Sequence, residues 1–419
     1  MIDPLTMWLV IIGAGAIAFY MAWSIGSNDV ANSMATAVGA KAITHRQAVV
    51  IAGSLNIAGA VLVGKGVTET VRKGIVETSQ FDNYVGDPLQ NPLLLGFIAS
   101  LLAAAIWVTL STWKEMPIST THSIIGALMG FGLIAGGVSI VNWGKVGMVA
   151  ASWVLSPVFG CILAFLIFKI IVKTIFSKDD PIKSAKVIGP ILIGCTAMLV
   201  SSSLFLKTAL KTKIHTTEIE GLIISSVVAI IVTICSFLLF RKLKAKSSED
   251  YATVEGIFRK LQVGTSCYVA FAHGANDVAN AIGPISGIIP LATGLSLNEN
   301  MTIGILAIGG IGIAIGCMTW GRRVMKTVGG RITSLTNTRG FSVDFGAATT
   351  VLIASKLGLP ISTSHTVVGA VIGVGLARGL EAVDLSVIKK IIASWLLTLP
   401  VAAGTCIGIF IMLKTVFGA

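Results

Sequence analysis

The chain has 419 residues, 54% hydrophobic and only 12% charged, with a mean hydropathy of +0.89. Those values exclude an ordinary soluble domain and point to a polytopic, all-α membrane protein. A net charge of +12 would suggest nucleic acid in a soluble chain. Here the bases lie in short loops between apolar segments, where they set orientation, and no nucleic-acid partner is expected.

Apolar runs long enough to cross a bilayer begin near Leu5, Ala48, Leu93, Ile118, Val146, Val187, Leu222, Val263, Ile303, Phe341, Ile361 and Val387, about twelve candidates of which several are interrupted by Gly or Pro. The first, Leu5 to Ala22, lacks a basic leader and an obvious cleavage site, so it reads as a retained span. The cysteines (161, 195, 235, 267, 317 and 406) each stand alone in apolar sequence, without metal-ligand or redox spacing, and read as packing residues.

The first five runs resemble the last five in order. Gly26-Ser27-Asn28-Asp29-Val30-Ala31-Asn32 recurs as Gly274-Ala275-Asn276-Asp277-Val278-Ala279-Asn280, six of seven positions being identical. Gly64-Lys65-Gly66-Val67 through Val71 recurs as Gly321-Arg322-Arg323-Val324 through Val328, and Pro117-Ile118-Ser119-Thr120-Thr121-His122 as Pro360-Ile361-Ser362-Thr363-Ser364-His365. Gly126, Gly130 and Ser152-Trp153 return as Gly369, Gly373 and Ser394-Trp395.

Charge then predicts orientation. The loops at 169–186 and 241–260 are both rich in Lys and Arg and are separated by two spans, so both belong on the cytoplasmic side. The basic loop after Gly321 falls on that side too, whereas its first-copy equivalent at 65–87 balances Lys65, Arg72 and Lys73 against Glu69, Glu77, Asp82 and Asp87. The pattern flips between copies, which predicts an inverted-topology repeat with interrupted, re-entrant-like helices: residues 1–175 as the first repeat, 176–262 as two linking spans and a cytoplasmic linker, and 263–419 as the second. Both termini are then outside a plasma membrane. Ser247–Leu261 reads equally as an amphipathic helix on the inner face or as a solvated loop.

Inverted repeats with broken helices place a binding site near the midplane, between the halves. Pro117 and Pro360 suit helix starts. Ser119, Thr120 and Thr121, with Ser362, Thr363 and Ser364, would then present hydroxyls and unpaired N–H groups together, an arrangement that takes a tetrahedral oxyanion. Asn28, Asp29 and Asn32, with Asn276, Asp277 and Asn280, offer only hard oxygen ligands, suited to a cation such as Na⁺. An unwound turn at Gly26 or Gly274 would add carbonyls. These four segments contain no Arg or Lys, so a buried anion needs co-bound cations for charge balance. His122 and His365 read as orienting or packing residues, and His273, present in one copy only, as structural. Glu69 and Asp344, near span ends, read as surface residues rather than an auxiliary ion site.

These motifs resemble the inorganic phosphate transporter (PiT) family of sodium- or proton-coupled symporters, and the resemblance covers nearly the whole chain. It implies phosphate as substrate, Asp29 and Asp277 at cation sites, the Ser/Thr runs on phosphate, and no organic cofactor. The large soluble domain that some members carry between the halves is absent from the sequence. The expectation is a non-enzymatic symporter driven by Na⁺ in preference to H⁺ and working by alternating access in a lipid bilayer, with a homodimer left open. Two rivals remain at this point: a sulfate or other oxyanion permease, and an intramembrane hydrolase using the two aspartates as an acid/base pair.

Overall fold

The computed structural model of the chain describes residues 4–65, 76–77, 81, 84, 88–207, 217–241, 250–356 and 361–418. Pro360, Glu69 and the charges at 66–75, 82 and 87 lie outside the described residues. Among the described residues are thirteen α-helices: α1 Pro4–Gly39, α2 His45–Val63, α3 Pro92–Trp113, α4 Thr120–Gly136, α5 Trp143–Ile171, α6 Pro181–Lys207, α7 Glu218–Arg241, α8 Asp250–Thr293, α9 Glu299–Thr319, α10 Arg322–Lys326, α11 Asn337–Lys356, α12 Thr363–Leu376 and α13 Leu385–Phe417.

Eight of them (α1, α2, α3, α5, α6, α7, α9 and α13) are long and apolar enough to cross a membrane. The apolar helices α4 and α12 have only 17 and 14 residues. At 1.5 Å per residue they reach about 25 and 21 Å, short of a hydrocarbon core of about 30 Å. Their starts lie inside the protein, where Ser119 and Ser362 are buried. A non-helical turn at that depth is tolerated only when enclosed by protein.

The packing repeats itself when the two copies are exchanged. Helix α1 packs on α9 as α8 packs on α2; α4 packs on α13 as α12 packs on α5; α1 on α3 corresponds to α8 on α11. The closest crossings are made by glycine. A Cβ on Gly26 would strike the backbone of Ile313, and one on Gly274 the backbone of Asn56, and these are equivalent positions in the two copies. This explains why neither glycine opens an unwound turn: α1 and α8 run through them as continuous helix, and the missing side chain serves close backbone approach instead.

Helices α1 and α8 also run in opposite senses past each other. Arg259 Nε, near the start of α8, donates to Ala42 O beyond the end of α1 at 2.7 Å. Thr36 then meets Thr265 and Ser266 through a shared carboxylate, and Asp29 meets His273. The start of α8 takes in most of the stretch read as either an amphipathic helix or a loop. It is helical from Asp250, and its apolar face is occupied by protein: Val254, Ile257, Phe258 and Leu261 bury against Ile171, Ile175, Ile182 and Phe341. The linking helices α6 and α7 pack chiefly on each other and leave Ile191, Ile223, Ile230 and Leu238 exposed, as lipid-facing helices do.

Candidate binding site

The N-terminal turns of α4 and α12 have matching caps. Ser119 Oγ accepts the N–H of His122 at 3.2 Å, and Ser362 Oγ accepts that of His365 at 3.3 Å. Each cap residue has extended backbone, so the remaining first-turn N–H groups point off the helix end without intrahelical acceptors. The turn before α4 is held by Asn28, whose Nδ2 donates to Thr112 Oγ1 (2.9 Å) and Met116 O (3.1 Å) while its Oδ1 accepts the Ile118 N–H at 3.2 Å. Trp395 closes the other side by donating Nε1–H to Pro117 O at 3.1 Å.

Both helix starts converge on Asp29, which is fully buried. Thr120 Oγ1 donates to Asp29 Oδ2 at 2.6 Å, and Ser364 Oγ to Asp29 Oδ1 at 3.3 Å. Asn32 Nδ2 bridges Asp29 Oδ1 (3.2 Å) and Ser364 Oγ (2.8 Å). Asn280 from the second copy donates to Thr121 Oγ1 at 3.1 Å. Four segments far apart in sequence thus meet in one buried cluster of hydroxyls, amides and carboxylates. Thr121 and Thr363 are partly exposed, whereas Thr120 and Ser364 are buried.

The two acidic turns are not used alike. Asp277 is buried and takes a 2.9 Å hydrogen bond from Asn276 Nδ2, yet Asn276 itself is exposed. Its counterpart Asn28 is buried and has both amide atoms engaged in holding the α4 turn. The cation-ligand expectation therefore concentrates on Asp29, Asn32, Asp277 and Asn280.

His273, read from the sequence as structural, lies inside this cluster. Its Nε2 lies 2.9 Å from Asp277 Oδ2 and 3.6 Å from Asp29 Oδ2, and its Nδ1 lies 2.6 Å from Asn56 Oδ1. The three groups Asp29, His273 and Asp277 offer ligand atoms all within 4.8 Å of one another. A usable signal was its place four residues before Asp277, one helical turn away on the same face. His122 and His365 stack edge to face at 5.0 Å, with Trp153 donating to His122 Nδ1 at 3.1 Å and Trp395 stacked on His365 at 3.8 Å.

Asp344 is not the surface residue its position suggested. It is 2% exposed and accepts hydrogen bonds from Thr36 Oγ1 (2.7 Å), Ser266 Oγ (2.6 Å) and Thr265 Oγ1 (3.4 Å). Its carboxylate ties α1, α8 and α11 together, with hydroxyl partners that make burial tolerable.

The chain is 50% identical over 403 residues to a Thermococcus kodakarensis protein provisionally named a phosphate permease, covering 96% of each. It is 41% identical over 419 residues to the chloroplastic inorganic phosphate transporter 2-1 of Arabidopsis thaliana, covering 92% of this chain and 69% of that one. A solved structure, titled the sodium-dependent phosphate transporter, superposes with a TM-score of 0.85 at 45% identity over 97% of this chain and 99% of its own. These relatives are permeases and transporters, which removes the hydrolase reading. With a match to the phosphate transporter family model spanning residues 25–406, both acidic turns and both hydroxyl helix starts included, the chain belongs to the phosphate transporter family.

Proposed function

We propose that the protein carries inorganic phosphate across the plasma membrane together with Na⁺, by alternating access between two inverted repeats that share one binding site near mid-membrane. The observation that carries this is the convergence of Thr120 and Ser364, one from each helix start, on the single carboxylate of Asp29. Phosphate sits against Ser119, Thr120, Thr121, Ser362, Thr363 and Ser364, held by hydroxyls and first-turn N–H groups. Sodium sits at Asp29, Asn32, Asp277 and Asn280, where it offsets the anion's charge in an enclosed site. The large desolvation cost of either ion alone is what couples their movement.

The exchange of packing partners between copies, and the opposed course of α1 and α8, support repeats of opposite topology with bounds near 1–175 and 263–419. The sodium dependence named for the solved relative supports Na⁺ over H⁺. The test is labelled phosphate uptake into proteoliposomes with Na⁺ and pH gradients imposed separately. Uptake that follows the Na⁺ gradient and is not displaced by sulfate is expected. Uptake driven by a pH gradient alone would replace Na⁺ by H⁺, and sulfate uptake at equal rate would overturn the substrate.

A further inference from the structure

The packed helix pair α11–α12 carries Ser362 and Ser364 at one end and two arginines at the other. Arg339 is the third residue of α11, and Arg378 lies two residues beyond α12. The internal duplication shows that this packing needs neither charge. Gly96-Phe97 of α3 recurs as Gly340-Phe341 of α11, which sets Arg339 against Leu95. Arg378 follows Gly373 by five residues, as Ala135 follows Gly130. Leu95 is buried and Ala135 half-buried, so the first copy packs α3 on α4 with no charge at either place.

Both guanidiniums turn onto one loop residue. Arg378 Nη1 donates to Ser334 Oγ at 2.8 Å and to Thr333 Oγ1 at 3.4 Å. Arg339 Nη1 donates to Ser334 O at 3.1 Å and reaches Ser334 Oγ at 3.5 Å. The two charges are thereby held about 6 Å apart or less, a spacing at which like charges repel. Neither arginine makes an ion pair among the described residues. The neighbouring acids are engaged elsewhere: Glu255 accepts the Thr338 N–H at 3.0 Å, and Asp384 accepts the Ser386 and Val387 N–H groups at the start of α13. Glu381, three residues past Arg378, pairs with neither. Arg339 also stands in the first turn of α11, the end of a helix that favours anions over cations. Ser334 Oγ accepts from both arginines, which leaves its proton to donate outward. Each guanidinium uses one nitrogen, so Nε and Nη2 of both are left without a protein acceptor among the described residues. Every group offered here is a donor, and two of the three are cationic.

We propose that Arg339, Arg378 and Ser334 form a second oxyanion site, for a phosphate group, at the base of the α11–α12 pair. Charge-assisted N–H···O contacts run about 2.7–2.9 Å, so one oxygen accepting from both guanidiniums bridges nitrogens up to about 5.6 Å apart, and two oxygens of one phosphate bridge more. Arginine's planar fork also matches phosphate oxygens two at a time. Unlike the central cluster, this site contains its own positive charge, so binding here needs no co-bound cation. Free inorganic phosphate and the phosphodiester of an anionic lipid headgroup share the chemistry. Arg378 and Ser334 are exposed and Arg339 is half-buried, which leaves the site open to either. When occupied, it ties α11 to the end of α12 and steadies the helix pair that presents Ser362 and Ser364.

The test uses the full-length protein in maltoside detergent and Na⁺-free choline buffer, with two probes. Equilibrium dialysis measures binding of radiolabelled inorganic phosphate, and native mass spectrometry counts phosphatidylglycerol retained after brief exposure to that lipid. One probe is expected to bind saturably at one per chain, about ten-fold more weakly in Arg378→Gln and in Arg339→Gln, and less weakened in Arg378→Lys. Arginine-dependent phosphate binding assigns the site to the free ion; arginine-dependent lipid retention assigns it to the headgroup. Either should persist in Asp29→Asn, which disables the central cluster and leaves both arginines in place. Binding of neither probe, or equal binding by wild type and the Arg339→Gln/Arg378→Gln double variant, would overturn the site. Phosphate binding lost in Asp29→Asn but kept in the double variant belongs to the central cluster and would also overturn it. If uptake ignores the Na⁺ gradient while arginine-dependent binding remains, the sodium reading fails and this site stands.

Discussion

Trp395 Nε1 donates to the carbonyl oxygen of Pro117 across 3.1 Å, joining the last helix of one copy to the hydroxyl-bearing turn of the other. Its counterpart Trp153 does something else, donating to His122 Nδ1 within its own copy. Among the described residues, the two tryptophans thus hold different partners. A buried neutral hydrogen bond contributes about 1 kcal/mol net. Trp395→Phe keeps the ring on His365 and removes only the donor. The KM for phosphate should rise about five-fold in transport assays with little change in expression.

Asp29 receives hydroxyls from both helix starts, so its charge, more than its shape, is expected to matter. Asp29→Asn should remove Na⁺-driven phosphate uptake and leave a folded protein. Raising Na⁺ should raise the melting temperature of the wild type, as any ligand of the native state does, and that increment should vanish in the variant. Asp277→Asn should behave alike. Wild-type uptake in both variants would remove the sodium assignment.

The paired caps Ser119 and Ser362 are proposed to serve phosphate rather than sodium. Ser119→Ala with Ser362→Ala removes two cap acceptors, each worth about 1 kcal/mol of stability, and loosens the first turns that face the anion. Phosphate affinity should fall at least ten-fold while the Na⁺ concentration for half-maximal uptake moves less than three-fold. The reverse order would exchange the two sites.

Gly26 and Gly274 permit backbone contact between crossing helices. Alanine at either position would drive a methyl group into Ile313 or Asn56 main chain, which cannot rotate away. Overpacking of this kind costs about 1–3 kcal/mol. Gly274→Ala should lower the melting temperature by several degrees and reduce uptake. Gly256→Ala, whose added methyl meets nothing within 4 Å, serves as the control.

Much of this site was legible in the sequence because it was written twice. The Asn-Asp turns, the hydroxyl helix starts and the Gly126/Gly369 pair could be matched between copies, and the structure brings the turns and helix starts to one cluster. What escaped was what the copies do not share. His273 and Asn56 face each other from different helices 217 positions apart, and nothing in local pattern links them. Asp344 was misread because nearness to a span end suggests exposure, whereas three hydroxyls from α1 and α8 enclose it. Asn28 and Asn276, identical in sequence, differ in burial and in use: Asn28 holds the turn at Met116–Ile118, whereas Asn276 donates to its neighbour Asp277.

The glycine crossings also bear on how the molecule can move. Asp29 and Asp277 each lie three residues beyond the point where their helix touches another's main chain, about 4.5 Å along the axis at 1.5 Å per residue. A tilt of roughly 10° about such a fulcrum displaces a carboxylate by less than about 1 Å, while a helix end some 20 Å away swings about four times as far. Long excursions at both membrane faces are therefore compatible with an almost stationary pair of acidic groups.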